Sequence, residues 1–260
     1  MALDFIRRQR IDGENEVDRF GAYSIEVDGE VIVGATGEVG DVNNDGILDL
    51  VVGAGFAENG EDIGKVYIFF GDGTGRFDGS SILSAANADI IIEGLNPGDF
   101  FGAAVALTDI NGDGLLDLVI GAPGTDFAGT NTGSVYVFLN QGGPNYFPTS
   151  AAAANRRIDG NQAFGEFGSY VATADFNNDG RPDLAVGAPL VDVGPAPDAG
   201  AIYTFFNLGA PNFFVNSAAS ANQTISGAVT DEGFGVNILP VDINNDGFVD
   251  LVVGSPLHSP

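Results

Sequence analysis

The nine-residue pattern Asp-x-Asn-x-Asp-Gly-x-x-Asp occurs four times, and its residue types are those that hold a hard cation. The copies are Asp41–Asp49, Asp109–Asp117, Asp175–Asp183 and Asp242–Asp250, and their starts lie 68, 66 and 67 residues apart. Three carboxylates and one amide within nine residues repel one another if left bare. Glycine at position 6 permits a positive-φ bend that curls the side chains at positions 1, 3 and 5 inward. The carboxylate at position 9 closes the cage, and the carbonyl of position 7 can add an oxygen. An all-oxygen donor set suits Ca²⁺ best and Mg²⁺ less well. The opening matches an EF-hand loop, but position 12 is Val52, Ile120, Val186 or Val253 rather than a bidentate Glu, so an EF-hand is rejected. An Asx-rich turn without metal is the alternative reading. Four copies in register, all with Asp at positions 1, 5 and 9, favour the metal.

The elements that position these loops also repeat. Each loop runs into a short apolar segment: Leu50–Gly55, Leu118–Pro123, Leu184–Pro189 and Leu251–Pro256. A Phe-Gly pair lies eight residues before the loop at Phe101, Phe167 and Phe234, and an Ile-x-Gly places its glycine seven residues earlier still, at Gly94, Gly160 and Gly227. A Tyr/Phe run, Val66–Phe70, Val135–Leu139 and Ile202–Phe206, follows the Gly-Ala-Pro segment. Each unit therefore holds four short β-like runs bounded by Gly, Pro, Asn and Asp, with no convincing helical period between them. Four strands per repeated unit is the signature of a β-propeller blade. The fold predicted is all-β: a β-propeller of four-stranded antiparallel blades, about four repeats, the last incomplete for want of its Tyr/Phe run. The predicted division is one propeller domain, 1–260, with repeats at about 14–94, 95–160, 161–227 and 228–260. Residues 1–13 carry Ile11-Asp-Gly13 and are expected to form a ring-closing strand. Phe20 lies thirteen residues too far from Asp41, so an insertion is expected there, with Val33-Gly-Ala35 as a second copy of the first strand.

Composition excludes several functions. The chain of 260 residues has 9 Lys+Arg against 36 Asp+Glu, a formal charge of −27, which argues against nucleic acid and against anionic membrane surfaces. It has no Cys, so disulfides, zinc-thiolate sites and catalytic thiols are excluded, and its one histidine, His258, leaves little room for histidine chemistry. No stretch approaches the length of apolar residues that a spanning helix needs, so no direct membrane insertion is expected. The start, Met1-Ala-Leu-Asp-Phe-Ile-Arg-Arg, has no apolar signal-peptide core, so the chain reads as soluble or as a piece of something longer.

These Phe-Gly, acidic-loop and Gly-Ala-Pro segments resemble the FG-GAP repeat, as found in the integrin α-subunit propeller and many bacterial surface proteins. The resemblance runs from about Ile11 to Pro256. It implies a loop that joins the first two strands of each blade and binds Ca²⁺ on one face of the propeller. Carried onto this sequence, it implies the ligands Asp41, Asn43, Asp45, Asp49 and the carbonyl of Ile47 in the first loop, and Asp109, Asn111, Asp113, Asp117 and the carbonyl of Leu115 in the second. The third would use Asp175, Asn177, Asp179, Asp183 and the carbonyl of Arg181; the fourth Asp242, Asn244, Asp246, Asp250 and the carbonyl of Phe248. About four structural Ca²⁺ are thus expected. Propellers of the family commonly have seven blades, whereas this chain has about four units. A fragment, a compact four-bladed ring and a homo-oligomer that completes one ring all remain open.

The remaining features have plain readings. Phe20, Phe101, Phe167 and Phe234 are expected in the inter-blade core, and Tyr67, Tyr136 and Tyr203 as packing residues with a phenol that needs a partner. Arg7, Arg8 and Arg10 are read as a solvated or ring-closing segment, Asn222-Gln-Thr224 as a chance glycosylation sequon, and His258 as exposed. The loops Ala57–Asp62, Thr125–Thr132 and Leu190–Ala199 vary between units and are where a propeller would carry a binding surface. The leading functional expectation is a calcium-binding, non-catalytic interaction or adhesion-like module with an unidentified protein or glycan ligand. It would sit outside the cell or at its surface, because loops of this kind load at about millimolar Ca²⁺. The alternatives are a carbohydrate-binding lectin propeller with sugars in inter-blade pockets and, less favoured, a propeller hydrolase or lyase. The fixed acids are already committed as ligands, and no nucleophile motif stands out, so no enzyme is expected.

Overall fold

The computed structural model describes residues 23–27, 30–55, 63–74 and 85–255. Within them fifteen strands form four antiparallel meanders. The first sheet is β1 (Tyr23–Val27), β2 (Glu30–Gly40), β3 (Asp49–Ala54), β4 (Lys65–Phe69) and β5 (Ile90–Glu93). The second is β6 (Ala104–Thr108), β7 (Asp117–Ala122), β8 (Ser134–Phe138) and β9 (Arg156–Asp159). The third is β10 (Tyr170–Ala174), β11 (Asp183–Ala188), β12 (Ala201–Phe205) and β13 (Gln223–Ser226), and the fourth is β14 (Asn237–Val241) with β15 (Asp250–Gly254).

The strands fall where the repeat places them. The Phe-Gly pair opens into the first strand of a blade, the acidic loop follows, and the apolar run after it is the second strand. The Tyr/Phe run is the third, and the Ile-x-Gly segment the fourth. The second strands of the first three sheets are buried along nearly all their length (Asp117–Ala122 and Asp183–Ala188 throughout), which fits their reading as continuous apolar runs, whereas β15 of the fourth sheet is half-exposed. The first strands pack face to face in sequence order, β2 on β6, β6 on β10 and β10 on β14. They line a central cavity of about 460 Å³ bounded by Glu38, Leu107, Thr173 and Leu239. This is the propeller arrangement, with first strands innermost. Among the described residues, no packing of similar extent returns from β14 to β2, so the ring is not closed.

The first sheet departs from the expectation. The insertion before Asp41 contributes a strand of its own: β1 pairs antiparallel with β2, Val27 opposite Glu30, so this sheet has five strands. The segment Val33-Gly-Ala35 lies within β2, the strand that pairs with β3. Phe20-Gly21, residues 1–13 with their arginines, the loop Ala57–Asp62 and His258 lie outside the described residues.

The Phe-Gly aromatics form the seams between blades. Phe101 and Phe167 are each 1% exposed. Phe101 meets Tyr136 and Phe138 edge-on with centroids 5.5 and 6.2 Å apart, and Phe167 meets Tyr203 and Phe205 at 5.6 and 6.0 Å. One continuous cluster joins Val66, Ile68 and Ile92 of the first sheet to Phe101, Ile120 and Tyr136 of the second. The Ile-x-Gly glycine makes room for the seam: a Cβ on Gly160 would strike the Thr132 carbonyl oxygen and lie 2.9 Å from Phe167 Cβ. Phe234 is only half-buried. Beside it the fourth sheet exposes apolar side chains, Leu239 at 57% and Ile243 at 65% among them.

Candidate metal centre

Each acidic loop bridges the first two strands of the repeated blade, β2 and β3, β6 and β7, β10 and β11, and β14 and β15, and sheet register fixes its ends. Gly40 pairs with Asp49, Thr108 with Asp117, Ala174 with Asp183 and Val241 with Asp250. Position 9 is thus the first residue of the second strand, opposite the residue just before position 1. All four loops lie at the same end of their sheets.

The turn is made by two left-handed residues. Position 6 is glycine at φ 85°, 87°, 85° and 88°, as its place in the pattern requires. Position 4 is also left-handed, Asn44 at 59°, Gly112 at 77°, Asn178 at 58° and Asn245 at 58°, which sequence reasoning missed. The signal was there: Asn and Gly are the residues that tolerate that conformation, and every copy has one of them at position 4.

Backbone N–H groups then converge on the acidic side chains. In the first loop Asp45 N–H donates to Asp41 Oδ1 at 3.0 Å and to Asn43 Oδ1 at 3.0 Å, Gly46 N–H to Asp41 Oδ2 at 2.8 Å, and Ile47 N–H to Asp45 Oδ1 at 2.8 Å. The same four bonds recur around Asp109, Asp175 and Asp242. Position 9 plays a different part. Asp49, Asp117 and Asp183 are fully buried, whereas Asp250 is half-buried. Asp49 Oδ2 accepts from the N–H groups of Val42 and Asn43, and its Oδ1 accepts from Gly71 N–H at 2.8 Å, just beyond the third strand. Asn140 and Asn207 N–H donate to Asp117 and Asp183 in the same way, each at 2.8 Å.

Asn140 and Asn207 tie each loop to its neighbour. The Asn140 amide donates to the Val42 carbonyl of the first loop at 2.9 Å and to Leu116 of its own loop at 3.1 Å. The Asn207 amide donates to Ile110 of the second loop at 2.9 Å and to Pro182 at 3.1 Å. Both asparagines are buried, at 3% and 1% exposure. They follow the Tyr/Phe run at a fixed offset, where the first unit has Gly71.

Burial raises the pKa of the position-9 carboxyls. Asp117 is pushed up to about 6, chiefly by loss of solvent, with the charges of Asp113 and Asp109 adding and the N–H donors opposing. Asp49 and Asp183 are raised for the same leading reason. In the third loop the Arg181 guanidinium, 2.8 Å from Asp179 Oδ2, holds the Asp179 carboxyl below the usual carboxylate range.

The chemistry of the donor set fits a hard cation. Among the described residues, no three Asp, Glu, His or Cys side chains gather closely enough to hold a metal on their own. The set implied by the sequence is mixed and adds the amide oxygen of position 3 and the carbonyl of position 7 to the carboxylates. In the first loop, Asp41 Oδ1 and Oδ2, Asn43 Oδ1 and Asp45 Oδ1 and Oδ2 each accept one hydrogen bond, which leaves a lone pair on each oxygen. Asp41, Asn43, Asp45 and Asp49 are thus brought to one turn, as are their equivalents in the other three.

The family of the FG-GAP repeat matches residues 33–69, 101–138, 167–205 and 234–259. Phosphatidylinositol-glycan-specific phospholipase D of Bos taurus is 41% identical over 158 residues, 60% of this chain and 18% of that protein. The Homo sapiens protein of the same name is 34% identical over 224 residues, 83% of this chain and 25% of the relative. Integrin alpha-IIb of Mus musculus is 35% identical over 171 residues, 63% of this chain and 16% of the relative. The chain therefore spans a quarter or less of these curated relatives.

Proposed function

This chain belongs to the FG-GAP repeat family, and we propose that it is a calcium-stabilised, non-catalytic interaction module that works outside the cell. The observation that carries the reading is the fourfold recurrence of one hydrogen-bonded acidic turn with unused oxygen lone pairs. The proposed ligands are positions 1, 3, 5 and 9 of each loop with the carbonyl of position 7. Bound Ca²⁺ supplies positive charge where twelve of the chain's 36 acidic residues are concentrated. The protein's own residues do the rest: position 4 and position 6 set the turn, N–H groups aim the carboxylates, and Asn140 and Asn207 join loop to loop. The role is structural, since a metal held only by the folded state stabilises it by about 2.7 kcal/mol per site at hundredfold excess over Kd.

The phospholipase activity named for two relatives is not carried over, because the matched part is a small share of each. The integrin relative supports an adhesion-like role, with a protein or glycan partner. Among the described residues no helix is long and apolar enough to cross a membrane. The exposed apolar surface of the fourth sheet is where further blades, or a second copy completing a ring, would pack. Chelation tests the reading. With 5 mM EDTA in place of calcium, the melting temperature is expected to fall by roughly 10 °C or more, as several sites empty together. An unchanged melt would contradict the structural role.

A further inference from the structure

Repeats share their structural residues, so residues that break the repeat and converge in space point to function. The sequon residue Asn222 shows the first half of this rule. Its side-chain oxygen accepts from Phe206 N–H at 2.8 Å, as Asn155 does from Leu139 and Asp89 from Phe70, so it serves the fold in each of the first three blades. The second blade shows the other half. Opposite the conserved third-strand tyrosine stand Ile91 in the first blade and Thr224 in the third, but Arg157 in the second. Two residues before the seam phenylalanine stands Asp99, an acid as Asp18 and Glu232 are in other units; Glu232 accepts from Val229 N–H as Asp99 does from Asn96, so this carboxylate belongs to a shared turn and the second blade sets Arg157 and Phe127 beside it. Five residues after the alanine that ends the second strand, Val193 of the third blade is replaced by Phe127.

These three residues line one cavity of about 310 Å³ with Asn96, Asn131 and Tyr136. It lies at the end of β6 and β7 opposite the acidic loop, because Ala104 pairs with Gly121 there while Thr108 pairs with Asp117 at the other end. Asp99 is 4% exposed. One of its oxygens accepts from Asn96 N–H and Nδ2 at 3.2 and 3.1 Å, and among the described residues no donor reaches the other. Arg157 lies 4.6 Å over the Phe127 ring and is paired with Asp159 at 2.6 Å. Phe127 is 59% exposed, so the ring face away from Arg157 is open.

We propose that this cavity is a binding site for a neutral saccharide of one or two sugar units. The charges select against other ligands. Asp99 and Asp126 disfavour an anion, and Arg157 is already neutralised by Asp159. A cation would be drawn by Asp99 and Asp126, but the Phe127 ring that it would stack on is already polarised by Arg157 on its other face, a cost that a C–H face does not meet. A neutral polyol meets neither penalty. Its hydroxyls donate to the free oxygen of Asp99 and accept from the asparagine amides. Its C–H face lies on Phe127, and the volume suits a small sugar. The proposal rests on reading the chain as a non-catalytic binding module and is independent of the metal loops.

The test is saturation-transfer NMR on the whole chain with methyl glycosides of glucose, galactose, mannose and N-acetylglucosamine, backed by an array of neutral oligosaccharides. Sialic acid and choline serve as anionic and cationic controls. At least one neutral saccharide is expected to bind, and Phe127→Ala and Arg157→Thr to weaken it tenfold or more. Both variants should fold: Phe127 is exposed, and threonine is what the third blade carries at that position. Binding of no neutral saccharide, preference for either charged control, or binding unchanged in both variants overturns the proposal. Calcium titration of the same sample reads the metal loops separately, so the two readings fail independently.

Discussion

Replacing Asn140 by alanine tests how the acidic loops are joined. The buried side chain makes three hydrogen bonds: its amide donates to Val42 and Leu116 carbonyls, and its oxygen accepts from Gly142 N–H at 2.9 Å. Its backbone bond to Asp117 survives the substitution. A typical buried hydrogen bond contributes about 1 kcal/mol net, and the groups left behind are nearly out of reach of water, so Asn140→Ala should cost about 3 kcal/mol. At about 2–4 °C per kcal/mol for a domain of this size, the melting temperature should fall by roughly 6–12 °C. Gln141→Ala is the control, since its exposed amide reaches only the Leu139 carbonyl at 3.0 Å; it should shift melting by less than about 2 °C. Calorimetry in saturating calcium reads both. If Asn140→Ala melts within a degree or two of the parent, the inter-loop bonds carry no stability and the reasoning fails.

Two further outcomes follow from charge. Arg181→Gln removes the guanidinium that competes for Asp179, so the third loop should bind calcium about twofold to fivefold more tightly by titration calorimetry. Weaker binding would assign Arg181 a helping role instead. Burial raises the folded-state pKa of Asp117 to about 6, above the ordinary value that it takes in the unfolded chain. The folded metal-free protein therefore takes up protons that the unfolded chain does not between about pH 6 and 4. Its stability should rise as pH falls through about 6, a gain that is lost again as pH climbs. Melting of the EDTA-treated protein at pH 7.5 and 5.5 checks the sign, and a lower melting temperature at pH 5.5 contradicts it.

The blade could be read from the sequence because its signals are local and repeated. Phe101 and Phe167, the runs Leu118–Pro123 and Leu184–Pro189, and the glycine at position 6 all occupy the places their spacing implies. What escaped was either unrepeated or long-range. β1 belongs to one unit alone, although the Asp28-Gly29 dipeptide between Val27 and Glu30 is a hairpin signature in sequence. Asn140 and Asn207 do recur at one offset, but their partners Val42 and Ile110 lie 98 and 97 residues away, and no local pattern encodes such a pairing. The cavity around Asp99 was invisible for the opposite reason. A search for repeats discards the positions at which one unit differs, and Arg157 and Phe127 are both of that kind.

Calcium stoichiometry tests the central claim most directly. Titration calorimetry of the chelator-stripped protein should saturate near four Ca²⁺ per chain, and Asp113→Ala should saturate near three while keeping its fold. No heat of binding at millimolar calcium, or a stoichiometry indifferent to Asp113, would mean that the acidic turns are held by their own hydrogen bonds alone.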